Sequence, residues 1–243
     1  MNELLVYLSY VNKGNNYEIF KDLVKKRKVG ESHIKQVLNI LEKNNIKYIT
    51  VFDEEYPEEL KLLKYSPYVL YYKGDLSLLK LKKIALTADL DNDRVESFIN
   101  NSLNKFMSEF VLVTSDFTKI DRKIVQLYQS SNKGVIHVLV SGHDFIDINA
   151  ELNNSLYISQ YPPYVNPKYI RFKERNILIA SISKFLVIYG AKQGSGIINL
   201  ANNFVDFNKE VYCYPGLNID EATNFLIKNG ANLITHVADV IDY

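Results

Sequence analysis

The chain has 243 residues, a length typical of one or two domains. Hydrophobic residues make up 47% of it and charged residues 23%, which is typical of a folded protein and excludes intrinsic disorder as its main character. With 29 basic and 28 acidic residues the net charge is +1, so bulk charge predicts no nucleic-acid, membrane or acidic partner. Any such binding must come from a local patch.

The chain has one cysteine, Cys213, which excludes an intrachain disulfide and a zinc cluster built on several thiolates. A reducing cytoplasm is the expected setting. The N-terminal residues lack the basic region of a signal peptide, and no apolar run approaches the roughly 18 residues that span a bilayer. The four histidines show no metal-binding spacing. We therefore expect a cytoplasmic protein with no membrane contact and no metal site.

Residues 1–63 have the apolar periodicity of helices, interrupted by a short extended segment at 46–51. A strand follows at 68–75 and ends in a turn at Gly74 and Asp75. We predict a small helical N-terminal region over 1–63.

From Lys83 onwards, continuous apolar strands alternate with helices. This pattern predicts the α/β class, with a doubly wound, mostly parallel sheet covered on both faces. In such sheets, ligands bind at the carboxyl ends of the strands, where the strand order reverses. The predicted strands are 84–86, 110–113, 135–140, 155–158, 185–189 and 211–214, and the predicted helices are 92–107, 119–131, 171–183, 196–207 and 220–229.

The ends of the first two of these strands carry polar residues. The first strand ends in Thr87-Ala88-Asp89, with neither the GxGxxG nor the GxxxxGK[ST] motif, so a dehydrogenase or a P-loop enzyme has little support. The second is followed by the segment 114–121, which is rich in threonine and serine. Their hydroxyls can bind a phosphate, but capping of the next helix is the favoured interpretation.

A predicted helix follows the Pro162-Pro163 turn and carries Arg171, Lys173, Arg175 and Asn176 near its start. Cations at a helix N-terminus suit a phosphate backbone. The alternative is a solvated helix face with Arg175 in a structural salt bridge, and the residues alone favour that alternative.

The segment 190–196 is the densest glycine cluster and lies between a strand and a helix. Amides at the start of a helix attract anions, and Lys192 adds positive charge beside Ser195 and Gly196. A tight turn that simply needs glycine explains the same pattern equally well.

A series of short motifs runs from Tyr56 to the C-terminal region. In this order and spacing the chain resembles the DprA/Smf family of bacterial DNA-processing proteins. The motifs are Tyr56-Pro57-x-x-Leu60, Pro67-Tyr68-Val69-Leu70-Tyr71-Tyr72-Lys73-Gly74, Ile158-Ser159-Gln160-Tyr161-Pro162-Pro163, Arg175-Asn176-x-x-Ile179-Ala180, Ser195-Gly196, Pro215-Gly216 and Asn224-x-Leu226-Ile227-x-x-Gly230-Ala231.

The resemblance implies an extended Rossmann-like domain over 64–243 that binds single-stranded DNA and forms a homodimer. It also implies that the helical region over 1–63 is an accessory region. It implies assistance in loading the RecA recombinase during natural transformation and recombination, with no enzymatic reaction and no cofactor. The DNA-binding residues that it implies are Arg175, Asn176, Lys192, Ser195 and Gly196, with Lys119, Lys173 and Arg171 as further cations.

The chain departs from the family pattern in its phosphate loops. Thr87-Ala88-Asp89 stands where family members carry Gly-Ser-Arg, and Thr118 stands where a second cation is usual. Lys119 is adjacent, but its side chain is expected to point elsewhere. Ile177 replaces a further common arginine, and Ala222 a glycine. Each lost phosphate contact lowers the salt dependence of binding by about one unit of slope.

Three functions remain open at this point. The leading one is single-stranded DNA binding, to which the 18 tyrosines and 12 phenylalanines can contribute base stacking. The second is a degenerate relative that acts as a protein-interaction module without DNA binding, suggested by the change to Asp89. The third is an enzyme or sensor for a nucleotide-derived ligand, which ranks last because the sequence has neither a glycine-rich phosphate loop nor a catalytic acid in a recognisable motif.

Overall fold

The computed structural model describes residues 1–146 and 154–241. Within it, the chain divides into two compact units, each made of two stretches of sequence. The first unit comprises Met1–Lys80 and Val138–Glu174, and the second comprises Leu81–His137 and Arg175–Tyr243. The division of the chain into an accessory region over 1–63 and a domain over 64–243 stays a prediction.

The first unit combines the N-terminal helices with an antiparallel sheet. Asn15 begins the second helix by accepting hydrogen bonds from the amides of Tyr17 and Glu18, as a helix cap does. The elements are α1 (Asn2–Val11), α2 (Asn16–Val24), α3 (Glu31–Lys43), β1 (Lys47–Thr50), α4 (Glu58–Lys61), β2 (Val69–Gly74) and β6 (Ser155–Ser159), with short 3₁₀ helices at Leu76–Lys80 and His143–Phe145.

In the first unit β2 pairs antiparallel with both β1 and β6. The apolar run at 155–158 therefore forms a strand as predicted, but its pairing with β2 is antiparallel. An apolar run indicates burial on both faces and carries no information about direction. One hydrophobic core joins the helices to β2 through Leu5, Val37, Leu41 and Tyr71.

The second unit contains the alternating strands and helices. All the strand pairs described within it are parallel, which confirms the predicted α/β class with a mostly parallel sheet. The elements are β3 (Lys83–Ala88), α5 (Asp93–Glu109), β4 (Val111–Thr114), α6 (Lys119–Ser130), β5 (Val135–Val138), α7 (Tyr169–Ile182), β7 (Leu186–Gly190), α8 (Ile197–Asp206), β8 (Val211–Cys213), α9 (Ala222–Lys228) and β9 (Asn232–Leu233), with a 3₁₀ helix at Val237–Asp239.

Two of these elements, β5 and α7, extend beyond the residues of the second unit. Val138, the last residue of β5, and the first turns of α7 up to Glu174 belong to the first unit. The strand β9 was not predicted, because two exposed residues leave no periodic pattern.

The core of the second unit lies between its sheet and helices. Ile84, Leu112 and Val187 on the strands and Val95 and Ile124 on the helices are fully buried and belong to one cluster. Cys213 is also buried, and burial raises the pKa of its thiol to about 12, so the thiol is protonated and inert at neutral pH.

The strand order of the second unit reverses between β3 and β7. From β3 the chain adds β4 and then β5 on one side, whereas β7, β8 and β9 follow on the other side, giving the order β5-β4-β3-β7-β8-β9. The loops at the carboxyl ends of β3 and β7 therefore diverge and leave room for a ligand between them. Among the helices in the described ranges, none is long and apolar enough to cross a bilayer.

The turn at the end of β2 requires glycine. Gly74 has a φ of +101°, and a Cβ atom added to it would clash with the backbone carbonyl of Ser155. We expect Gly74→Ala to lower the free energy of unfolding by roughly 2 kcal/mol or more. Gly196, with a φ of −62° and no neighbour near its Cβ position, is the matched control, and Gly196→Ala should cost less than about 1 kcal/mol. Urea denaturation of both variants measures this, and equal midpoints would contradict the assignment of strain to Gly74.

Candidate functional site

Three loops of the second unit meet where the strand order reverses. They follow β3 at 89–92, β4 at 115–118 and β7 at 191–196, and the last two lead into α6 and α8. We call this region, together with Arg175 and Asn176 of α7, the strand-end site.

Asp121 is the buried centre of the strand-end site. Its carboxylate accepts hydrogen bonds from Thr87 Oγ1 at 2.8 Å and Ser115 Oγ at 3.0 Å. It also accepts from the backbone amides of Phe117 and Thr118, both at 3.3 Å. One carboxylate thus ties the ends of β3 and β4 to the first turn of α6.

Thr118 completes this connection as the cap of α6. Its Oγ1 accepts a hydrogen bond from the amide of Asp121 at 2.9 Å and donates one to the carbonyl oxygen of Ala88 at 2.7 Å. Together with the carboxylate of Asp121 it forms a capping box. The favoured interpretation of this segment, helix capping by a hydroxyl, is confirmed at Thr118.

Arg175 is buried, with 7% of its surface exposed, and does not lie on a solvated helix face. Burial lowers the pKa of its guanidinium to about 10, and the nearby carboxylate of Asp121 opposes this shift, so Arg175 stays protonated at neutral pH. It donates to Asn176 Oδ1 at 3.3 Å, and Asn176 Nδ2 donates to Asn199 Oδ1 on α8 at 3.1 Å. The pair therefore links α7 to the helix that follows the glycine cluster.

Asp89 brings a negative charge to the glycine cluster. Its Oδ1 accepts a hydrogen bond from the backbone amide of Lys192 at 2.7 Å, and its own amide donates to the carbonyl of Gly190 at 3.0 Å. The carboxylate of Asp89 thus uses a backbone amide that would suit an anionic ligand. A phosphate at this position meets like charge.

The two interpretations of the glycine cluster, a tight turn that needs glycine and a backbone accessible to a ligand, each apply to one of its glycines. Gly194 has a φ of +70°, which fits a turn that needs glycine. Gly196 has an ordinary φ, and no atom lies near its Cβ position, so this backbone is open. Ser195 Oγ accepts from the amide of Ile197 at 3.0 Å, and the side chain of Lys192 is exposed.

The remaining predicted cations have other neighbours. Lys119 is exposed and forms an ion pair with Asp91 of the loop after β3. Arg171 and Lys173 belong to the first unit. Arg171 is buried there, donates to the carbonyl of Asn166 and lies 4.8 Å from the centre of the Tyr161 ring.

Lys173 is exposed, and its ammonium lies 6.0 Å from the ring centre of Tyr169. The structure therefore brings Arg175, Asn176, Lys192, Ser195, Gly196 and Lys119 into the loops and helix starts of one unit, whereas Arg171 and Lys173 are positioned by the other.

Two residues at the strand-end site were not predicted from the sequence. Asp121 had a local signal, because a threonine three positions before an acidic residue is the pattern of a capping box. Phe117 had a weaker one, a single aromatic residue in a polar loop. Its side chain is 61% exposed, and the guanidinium carbon of Arg175 lies 5.9 Å from its ring centre.

The groups at this site are suited to binding. They are backbone amides, hydroxyls, an exposed lysine, a buried guanidinium and an aromatic ring. The neighbouring His137 is buried, and burial lowers the pKa of its imidazole to about 4, so it is neutral at physiological pH. In the described ranges, no group of three or more His, Cys, Asp or Glu side chains is arranged to hold a metal ion.

A doubly wound α/β unit with a polar site at the switch point of its sheet defines a class of ligand-binding proteins. Comparisons with known proteins show which family within that class the chain belongs to. The family model described as DNA recombination-mediator protein A matches residues 47–243. The chain belongs to this family, which confirms the resemblance inferred from its motifs.

Curated relatives are similar over most of this chain. It is 26% identical to the DNA processing protein DprA of Streptococcus pneumoniae over 203 residues, which cover 79% of this chain and 72% of that protein. It is also 26% identical to DprA of Bacillus subtilis over 220 residues, which cover 85% of this chain and 74% of that protein.

Solved structures share the fold. The X-ray structure of DprA from Streptococcus pneumoniae matches with a TM-score of 0.77 and 21% identity, over 99% of this chain and 96% of that one. A structure of Helicobacter pylori DprA, which concerns the single-stranded DNA binding mode of that protein, matches with a TM-score of 0.67 and 24% identity, over 79% of this chain and 93% of that one.

The hydrogen bonds of the buried Asp121 carboxylate should contribute strongly to the stability of the second unit. Asp121→Ala leaves two hydroxyls and two amides without their acceptor, and we expect it to cost roughly 3 kcal/mol or more of unfolding free energy. Asp121→Asn removes the charge and replaces one acceptor oxygen with an NH2 donor. With its remaining oxygen at the Oδ2 position it still accepts from Ser115, Phe117 and Thr118, so it should cost less. The exposed Asp206 at the end of α8 is the control, and Asp206→Asn should change stability by less than about 0.5 kcal/mol. Equal unfolding midpoints for Asp121→Ala and Asp206→Asn in urea would refute the central role of Asp121.

Proposed function

We propose that this chain is a DNA-processing protein that binds single-stranded DNA at the strand-end site, and that it is not an enzyme. The observation that carries the proposal is the open backbone of Gly196 beside the exposed Lys192, at the N-terminus of α8 and at the switch point of the sheet. Helix N-termini attract phosphate groups through their free amides and their dipole. Membership of the DNA recombination-mediator family supports the same ligand.

Each predicted residue has a different part in this proposal. Lys192 supplies an accessible ammonium for the DNA backbone, and Ser195 and Gly196 supply hydroxyl and amide donors. Arg175 and Asn176 act from below the surface by adding positive potential and by holding α8 through Asn199. Lys119 contributes when it exchanges Asp91 for a phosphate.

Lys173 and Arg171 have separate parts in the proposal. Lys173 is exposed, so its ammonium can contact a phosphate at the surface of the first unit. Arg171 is engaged with Asn166 and Tyr161, so its contribution is to the packing of its own unit.

Two acidic side chains at the strand-end site reduce its attraction for phosphate groups. Asp89 and Asp91 both lie in the loop after β3, where Asp89 accepts from the backbone amide of Lys192 and Asp91 forms an ion pair with the ammonium of Lys119. Phosphate contacts therefore supply less of the affinity than at a strongly basic site, and binding should depend only moderately on salt. The net charge of +1 also gives little general attraction to duplex DNA.

The biological setting that we propose follows the family. The chain acts in the cytoplasm as a homodimer, and it assists the loading of RecA on single-stranded DNA during DNA uptake and recombination. Size-exclusion chromatography with light scattering tests the homodimer, and co-purification with RecA tests the interaction with the recombinase.

A second function has a specific observation in its favour. The carboxylate of Asp89 already occupies the amide of Lys192, which is the contact that an anionic ligand would make. A protein-interaction module without DNA binding is therefore the alternative, and it is distinguished by a protein partner and by the absence of oligonucleotide binding at low salt.

Fluorescence anisotropy with labelled single-stranded and double-stranded oligonucleotides across a salt series tests the proposal. We expect the wild-type chain to prefer the single strand. Lys192→Glu should weaken binding and lower the salt slope by about one unit or more, because a phosphate contact is lost. Lys133, which is exposed at the opposite, amino-terminal edge of β5, provides the matched control, and Lys133→Glu should leave the affinity within about twofold.

Two results would count against this function. Absence of binding to either oligonucleotide at low salt would exclude DNA as the ligand and favour the interaction module. Equal losses in Lys192→Glu and Lys133→Glu would show general electrostatic attraction and no site at the glycine cluster.

The negative charge of Asp89 should limit the affinity of the strand-end site for single-stranded DNA. Asp89→Asn removes the negative charge and keeps an oxygen that accepts the amide of Lys192. We expect it to tighten binding of single-stranded DNA by about three- to tenfold at low salt, with the gain shrinking as salt is added. Asp206→Asn at the far end of α8 should leave the affinity unchanged. Weaker binding by Asp89→Asn would mean that the carboxylate itself organises the DNA site.

A further inference from the structure

The strand-end site presents a large apolar side chain to solvent. The residue is Phe117, which is 61% exposed in the loop between β4 and α6. Exposure of a phenyl ring forgoes the gain from burial, and single exposed apolar residues need no explanation by themselves. Phe117, however, lies in a loop that lines the strand-end site, where its ring is accessible to a ligand.

The backbone on both sides of Phe117 is fixed by hydrogen bonds. Its amide donates to Asp121 Oδ2 at 3.3 Å, and its carbonyl accepts from Arg122 Nη2 at 3.4 Å. The preceding Asp116 has a φ of +50°, with its amide bonded to Thr114 Oγ1 at 2.9 Å. The following Thr118 is the cap of α6. These hydrogen bonds therefore hold the loop that carries the ring in one conformation. This reduces the conformational entropy that the loop loses when a ligand contacts the ring.

The electrostatic surroundings of the ring suit a nucleotide. The guanidinium carbon of Arg175 lies 5.9 Å from the ring centre, within the range of a cation–π contact. Lys119 follows two residues later and is exposed. An aromatic face beside positive charge can accept a base while the cations attract its phosphate.

We propose that Phe117 stacks on an unpaired base, so that the strand-end site holds single-stranded DNA partly through its bases. The proposal rests on the single-strand binding proposed above and specifies its mode. Stacking is available to any base, and it requires a base that is not paired in a duplex. It is insensitive to salt, so it supplies affinity at a site where Asp89 opposes phosphates.

The chain contains no tryptophan, which allows a direct optical test. The Phe117→Trp variant carries a single indole, whose emission is quenched when a base stacks on it. We expect quenching by a short oligothymidylate and none by an abasic deoxyribose-phosphate oligomer of the same length and charge. Phe52→Trp is the matched control, because Phe52 is 59% exposed but belongs to the first unit. Its emission should not change with either oligomer.

Binding measurements supply the second readout. Phe117→Ala should weaken binding to the oligothymidylate by about tenfold, with the salt slope and the affinity for the abasic oligomer unchanged. Phe117→Tyr should restore most of the wild-type affinity. Because the ring is exposed, Phe117→Ala should keep the wild-type unfolding midpoint, which excludes a loss through misfolding.

The outcomes separate this inference from the proposed function. If the wild-type chain binds single-stranded DNA but Phe117→Ala binds equally well, or if the abasic oligomer quenches Phe117→Trp as strongly as the oligothymidylate, base stacking at Phe117 is refuted and the proposed function stands. If the wild-type chain binds no single-stranded DNA at low salt, both are refuted.

Discussion

The strand-end site depends on one buried carboxylate. Asp121 accepts hydrogen bonds from Thr87 at the end of β3, from Ser115 after β4 and from two amides at the start of α6. It also favours the charged form of the buried Arg175. Because a buried charge without partners is costly, these groups are held in one arrangement. The shape of the loop that carries Phe117 follows from that arrangement.

Two acidic side chains in these loops use groups that could otherwise contact an anionic ligand. The carboxylate of Asp89 takes the amide of Lys192, and Asp91 takes the ammonium of Lys119. These contacts satisfy the loops without a ligand and reduce their attraction for phosphate. The exposed ring of Phe117 offers a different kind of contact at the same edge of the sheet. Under the proposed function, these features together predict binding of modest salt dependence that distinguishes unpaired from paired bases.

Sequence reasoning predicted the framework well because burial leaves a strong local signal. The apolar runs that became β3, β4, β7 and β8 lie within a few residues of their predicted positions, and the intervening helices were found from their periodicity. Sequence reasoning failed where the apolar pattern is too short or carries no information about strand direction. The two-residue strand β9 has no pattern, and the run that became β6 gives no direction of pairing. Lysines and arginines look alike in sequence, yet Lys192 is exposed while Arg175 and Arg171 are buried.

The sequence by itself determined the class of fold, the motif series of the family and the acidic replacement at Asp89, because these depend on residue type and spacing along the chain. Tertiary structure alone decided which polar groups meet. Asp121 reaches Thr87 across 34 positions, and Asp89 reaches Lys192 across 103. The proximity of Arg175 to Phe117 likewise arises only when α7 packs against the loop after β4. Contacts of this kind depend on the order of the strands in the sheet, which local patterns along the chain do not encode.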